Sequence, residues 1–362
     1  MCTAITIRTS QGNTCFGRTM DFSYPLDPEL YISPRGYEWN NLAATHRIRS
    51  RYSFIGAAQD LPPVIFADGV NEMGFAAAVL YFPGYAKYDD SGSGDIPEDP
   101  RPPIAAIELV SFLLGLCASV RQAASMLDTI RIVGRKDSIT NTVAPLHWIL
   151  AGQDGACMVA GRTGGGRRLM YNPMGVLSKS PDFQWHMTNL CNYMNLSPYQ
   201  PQEAEWGRVK MAPLGQGAGT LGLPGDFTPP SRFVRAAYLK SHSPIPASQK
   251  EALNTGFHIL ENVSIPKGAV MTDRHTADYT QYTAMIDLSA RKYSFRTYDN
   301  SQIVSACLEP GRDYGSNMVS LGKLSSPAVT DRWEVTSAYD GFHTMPPPHP
   351  LTPQPQPGYA FP

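Results

Sequence analysis

The chemistry this chain could perform is concentrated at Cys2, one peptide bond from a Met1 that cells remove when the next side chain is small. Excision would leave a terminal cysteine carrying a thiol and a free α-amine on one residue. Their reference pKa values, about 8.5 and about 8, let the amine take the thiol proton without another side chain. One residue then supplies nucleophile and base. Downstream, Cys15-Phe16-Gly17-Arg18-Thr19-Met20-Asp21 carries opposite charges three residues apart. A carboxylate there would orient the ammonium and an arginine would favour thiolate, so Arg18 and Asp21 are candidate tuning groups. The bland alternatives are a solvated surface pair and a cysteine at position 2 by accident.

Such a terminus works only if something rigid holds it. Cys2 to Ile7 alternates and is β-branched, and Thr14 to Asp21 continues it after a Gln11-Gly12-Asn13 turn, so a hairpin is expected at the very start. It would put the nucleophile on a sheet edge. Further strand-like runs are Ser53 to Gln59, Val64 to Ala67, Phe75 to Tyr81, His147 to Gly152, Ala156 to Ala160 and Arg168 to Tyr171. Apolar residues at helical spacing predict two paired helices, Ile104 to Cys117 and Val120 to Ile130. After a Pro- and Gly-rich stretch, helices are expected at Ser231 to Ser241 and Gln249 to Asn262. A closing hairpin follows from Thr280 to Leu288 and Tyr293 to Tyr298. Strands, helices and strands in that order predict an α+β layered domain over residues 1–330. Residues 331–362 are rich in proline and poor in aliphatics, and are expected to form a disordered tail, with a polyproline ligand as the alternative.

Composition narrows the partners. A formal charge of -1, from 30 basic and 31 acidic residues, provides no field to gather nucleic acid or an anionic membrane. A small-molecule substrate is expected instead. The six cysteines stand singly, without the spacing that zinc requires, so no metal or cofactor is expected and five of them read as buried apolar fillers. With neither a signal-like start nor a long apolar run, the expected location is the cytoplasm. Gly164-Gly165-Gly166 lacks the Lys-Ser/Thr of a phosphate loop and reads as a hairpin tip, and His186 reads as structural.

Several ordered blocks then carry a resemblance. They are Met-Cys-Thr, Gly17-Arg18-Thr19-Met20-Asp21, Asp68-Gly69-Val70-Asn71-Glu72-Met73-Gly74, Asn172-Pro173-Met174-Gly175-Val176-Leu177, Thr188-Asn189-Leu190, Leu223-Pro224-Gly225-Asp226, Ser231-Arg232-Phe233-Val234-Arg235 and Arg296-Thr297-Tyr298-Asp299-Asn300. Together they resemble the choloylglycine hydrolases, the family of conjugated bile acid hydrolases and penicillin V acylases within the N-terminal nucleophile hydrolase superfamily. The resemblance implies an αββα sandwich, an acyl-enzyme on Cys2, Arg18 and Asp21 beside it, and Arg232 as a further charge at the site. It also implies that Cys191 to Gly222 is an assembly arm of a homotetramer.

Two positions steer the substrate and the rate. Val79 to Gly84 matches the loop that helps form the family's oxyanion hole, and Tyr81 stands where bile acid hydrolases usually have Asn and penicillin V acylases Tyr. That leans the expectation toward phenoxyacetyl amides, with conjugated bile acids or N-acyl homoserine lactones as alternatives. Lys179 replaces the Asn whose amide is the family's side-chain donor to the oxyanion, so impaired turnover or mere acyl-amide binding is a further alternative. Phe22, Tyr24, Leu26 and Phe82 are expected to line an apolar pocket.

Overall fold

The computed structural model describes residues 2–61, 63–89, 99–137 and 141–327. The proline-rich tail and Met1 lie outside them. Two antiparallel sheets form the centre. The first has six strands in the order Val176–Leu177, Cys2–Arg8, Thr14–Phe22, Tyr279–Asp287, Lys292–Thr297 and Val304–Cys307. The second has ten and centres on Leu146–Gly152, Phe75–Tyr81, Asp68–Asn71, Phe54–Gln59 and Glu29–Ser33.

Helices cover the outer faces. Pro229–His242 and Gln249–Glu261 pack on the six-stranded sheet, Leu109–Leu116 and Val120–Asp128 on the ten-stranded one, and the result is an αββα sandwich. The first contact is tight because Gly17 and Gly256 lack side chains. A methyl group on either would overlap Met285, which is buried between sheet and helix. On the other side Leu109, Leu113, Leu114, Val120 and Leu127 form one apolar core with Phe54, Phe75 and Trp148.

The expected hairpin is present as Cys2–Arg8 against Thr14–Phe22, with Cys2 opposite Met20. Two expectations shift. The helix expected from Ile104 begins only at Leu109, because Pro103–Ala105 pairs in parallel with Arg131–Val133. Buried Glu108 then accepts the backbone N–H groups of Leu42 and Ala105 and so holds that strand-to-helix corner. The two helices of this layer pack mainly on the sheet, not on each other. The short strands Glu29–Ser33, Asp68–Asn71 and Val176–Leu177 and the helix Phe183–Asn189 are additions to the expected set. Among the described residues no helix is long and apolar enough to cross a membrane.

Candidate active site

Cys2 opens its strand in the interior of the six-stranded sheet, not on the edge that the sequence suggests. The two-residue strand Val176–Leu177 flanks it, pairing only with Ala4 and Ile5, so strand pairing on that side stops short of Cys2. The side chain is nonetheless 3% exposed. Its Sγ lies 3.7 Å from the Asp21 carbonyl, and its own carbonyl accepts hydrogen bonds from Ser178 Oγ and Arg232 Nη2, each at 3.5 Å.

Arg18 and Asp21 are buried and do not pair with each other. Residues three apart on a strand point to opposite faces. Arg18 therefore reaches the facing sheet, where its Nη1 meets Asp68 Oδ2 at 3.3 Å. Asp68 also accepts the phenol hydrogens of Tyr282 at 2.7 Å and Tyr293 at 2.5 Å. Asp21 faces the helix layer, where Arg232 Nη1 lies 2.5 Å from Oδ2 and Thr280 Oγ1 donates to Oδ1 at 2.5 Å. Thr19 Oγ1 adds a third bond at 3.1 Å. The surface-pair alternative is thus replaced by two separate interior pairs, one on each side of the Cys2 strand.

These charges bear on the thiol. Burial pushes Cys15, Cys117 and Cys157 up to about 12. Burial also acts to raise Cys2, yet Arg18 and Lys179 pull it the other way against Asp21, and the thiol ends below its ordinary value. Of the buried thiols, Cys2 alone is shifted toward thiolate. The expectation of five buried fillers needs correcting as well. Cys191 is exposed and Cys307 half-buried, since they sit in the short 3-10 helix Leu190–Tyr193 and on the outermost strand of the smaller sheet.

An apolar cavity of about 160 Å³ ends at the thiol. Cys2, Arg18, Phe22, Tyr24, Leu26 and Tyr81 are among its walls. Gln281 holds the segment bearing three of them, donating to the carbonyls of Phe22 and Tyr24 and accepting the Leu26 N–H at 3.0 Å. Phe82 is not part of it. Strand alternation turns its ring to the opposite side, where it stacks on His147 with centroids 4.2 Å apart. Tyr81 packs edge-on against Phe22 at 6.0 Å and carries Lys179 Nζ over its ring at 4.9 Å. Lys179 is itself buried, and its carbonyl accepts from His186 Nε2 at 2.8 Å.

Asp68, Tyr282, Ser178 and Gln281 are the residues that sequence reasoning missed. Only Asp68 had a signal, its place at the head of a recognisable block. The glycine run does form the tip between Cys157–Thr163 and Gly166–Tyr171. The stretch after Cys191 includes a small hairpin, Ala204–Trp206 with Val209–Met211, and presents Met194, Tyr199, Trp206 and Leu214 to solvent.

Comparison with known proteins agrees with this geometry. The family model described as "Linear amide C-N hydrolases, choloylglycine hydrolase family" matches residues 2–311. A bile salt hydrolase/transferase of Clostridium perfringens is 35% identical, over 84% of this chain and 91% of the relative. A crystal structure of the C2A mutant of conjugated bile acid hydrolase from Clostridium perfringens superposes with a TM-score of 0.80 at 30% identity, covering 88% of this chain and 96% of that one. A penicillin V acylase of Pectobacterium atrosepticum is 25% identical, over 77% of this chain and 73% of the relative. A lone low-pKa cysteine at the head of an αββα sandwich, an apolar cavity ending on it and a family match across nearly the whole described chain lead to one conclusion: this protein belongs to the choloylglycine hydrolase family and is an N-terminal nucleophile amidohydrolase acting on linear amides.

Proposed function

We propose that the substrates are conjugated bile acids, steroid acids joined through an amide to a small amino acid. The observation that supports this reading is the apolar cavity ending at Cys2, which suits a rigid hydrocarbon acyl group. The relatives lean the same way. The phenoxyacetyl preference suggested by Tyr81 finds little support, since the bile salt hydrolase is 35% identical and the penicillin V acylase 25%. Tyr81 is moreover engaged by Phe22 and Lys179 within the protein.

In this proposal Met1 is removed and the Cys2 amine takes the thiol proton. The thiolate attacks the amide carbonyl, forming a C–S bond. As the tetrahedral species collapses, the C–N bond breaks and the ammonium proton goes to the departing nitrogen. Water, deprotonated by the same amine, then cleaves the thioester to free acid. Arg18 favours the thiolate. Asp21, held by Arg232 and Thr280, keeps the strand end in register. The test is a release assay on processed enzyme with glycine and taurine conjugates, penicillin V and an N-acyl homoserine lactone. Faster cleavage of penicillin V or the lactone than of the bile conjugates would reject the substrate assignment.

Lys179 stands where the family's oxyanion donor is an amide. An ammonium on a flexible stem, partly occupied by the Tyr81 ring, is a less well-placed donor. Lys179→Asn should raise kcat roughly tenfold, part of the two to three decades that one such donor is worth. No gain on a substrate that the parent enzyme turns over would refute this role. The exposed apolar arm around Trp206 and Leu214 supports assembly into a homotetramer. Serine at both positions should then lower the mass seen by sedimentation velocity, and a parent enzyme that sediments as a monomer would end that proposal.

A further inference from the structure

Two buried histidines take no part in the chemistry just described, yet both touch the segment that presents Lys179 to the thiol. His186 lies on the helix Phe183–Asn189 and donates Nε2–H to the Lys179 carbonyl at 2.8 Å. His147 lies on the strand Leu146–Gly152, against the backbone of the preceding residue, Ser178. Its Nε2 has no hydrogen-bond partner among the described residues. Each imidazole also stacks on an aromatic ring next in sequence to a site residue. His147 lies on Phe82, beside Tyr81, with planes 4° apart. His186 lies on Phe233, beside Arg232, at 4.7 Å and 11°.

We propose that His147 and His186 are positioning residues that hold the backbone of Ser178-Lys179, His186 through the Lys179 carbonyl, and tie that segment to the Tyr81 loop on one side and the Arg232 helix on the other. This deepens the reading of Lys179 as an oxyanion-side donor and rests on it. Three stretches far apart in sequence must converge on Cys2, and two of them are not in regular secondary structure at the point of contact. A carbonyl held from behind and a ring held from the side fix a backbone segment as a ladder pairing would fix a strand. Burial lowers both imidazoles, His147 to about 3, so each stays a neutral single donor with a fixed tautomer at working pH. Ser178 completes the grip by donating to the Cys2 carbonyl.

The test uses full-length enzyme with His147→Phe and His186→Phe, which keep a ring to stack but lose the donor, and His186→Gln, which restores an N–H. Folding is checked by thermal melting. Two readouts are independent of substrate. The Lys179–Ser180 bond, protected in the parent because Lys179 is 5% exposed, should be cut by trypsin more than about tenfold faster in the Phe variants. Iodoacetamide alkylation of Cys2 should shift to higher pH, because Lys179 is one of the charges that lower this thiol. On any amide that the parent cleaves, kcat should fall by roughly ten- to hundredfold with KM nearly unchanged, the cost of a donor displaced by about an ångström. His186→Gln should recover most of it, and in a Lys179→Ala background His186→Phe should cost almost nothing more. Unchanged trypsin protection in folded Phe variants, or additive losses with Lys179→Ala, would overturn the proposal. A parent enzyme inert toward bile conjugates would reject only the substrate assignment.

Discussion

Cys2→Ala should leave an intact fold with kcat/KM lower by at least about four orders of magnitude, the scale at which removing a covalent nucleophile is felt. The variant loses a small buried sulfur that makes only a long contact to the Asp21 carbonyl, so its melting temperature should move little. Mass spectrometry of the parent and variant must show Met1 absent from both, because a blocked amine would also silence the parent. Retention of more than about one per cent of parental turnover by fully processed Cys2→Ala would refute the mechanism. The pH dependence carries the same logic. Arg18 is the largest influence lowering the Cys2 pKa, so Arg18→Leu should move the alkylation profile to higher pH, about tenfold in rate per unit while the thiol remains mostly protonated.

The largest expected effect on stability lies at Asp68. This carboxylate is completely buried between the sheets and accepts from Arg18, Tyr282 and Tyr293. Asp68→Ala would leave a buried guanidinium without its counter-charge and two phenols without acceptors. Breaking a buried ion pair from one side typically costs about 3–5 kcal/mol. Urea unfolding should show a loss of that size, and a loss under about 1 kcal/mol would mean that Arg18 finds another acceptor. Removing both charges, as Arg18→Leu with Asp68→Leu, should cost less than the two single losses added together, since no unpaired charge then remains.

The contrast between Arg18 and Asp21 explains how much could be read from the sequence. Alternation and β-branching made the first hairpin legible, and with it the placement of Cys2 at a strand's start. The same alternation also says that Arg18 and Asp21 must face opposite ways, but not what they will meet. Their partners, Asp68 and Arg232, lie 50 and 211 residues away, and only the stacking of two sheets and a helix brings them close. Phe82 was misplaced for a related reason. An aromatic beside Tyr81 invites assignment to the same pocket, whereas neighbours in an extended chain occupy opposite sides. Strands of two to five residues, such as Val176–Leu177 and Asp68–Asn71, are too short for a period to emerge, and the three-dimensional neighbours that stabilise them are invisible in one dimension. Of the two buried imidazoles, His186 was legible as structural, but the partners of neither could be named, because a histidine's role is set by what surrounds it.

The notch formed by Gly17 and Gly256 around Met285 has a consequence for oxidative wear. A thioether enclosed on both sides has no room for a sulfoxide oxygen and is shielded from peroxide while the helix Gln249–Glu261 stays seated. Peroxide can reach that sulfur only when the helix lifts, and the added oxygen then bars its return. Met285 sulfoxide, counted in an ageing preparation, therefore records how often this layer has come away from the sheet that carries Cys2.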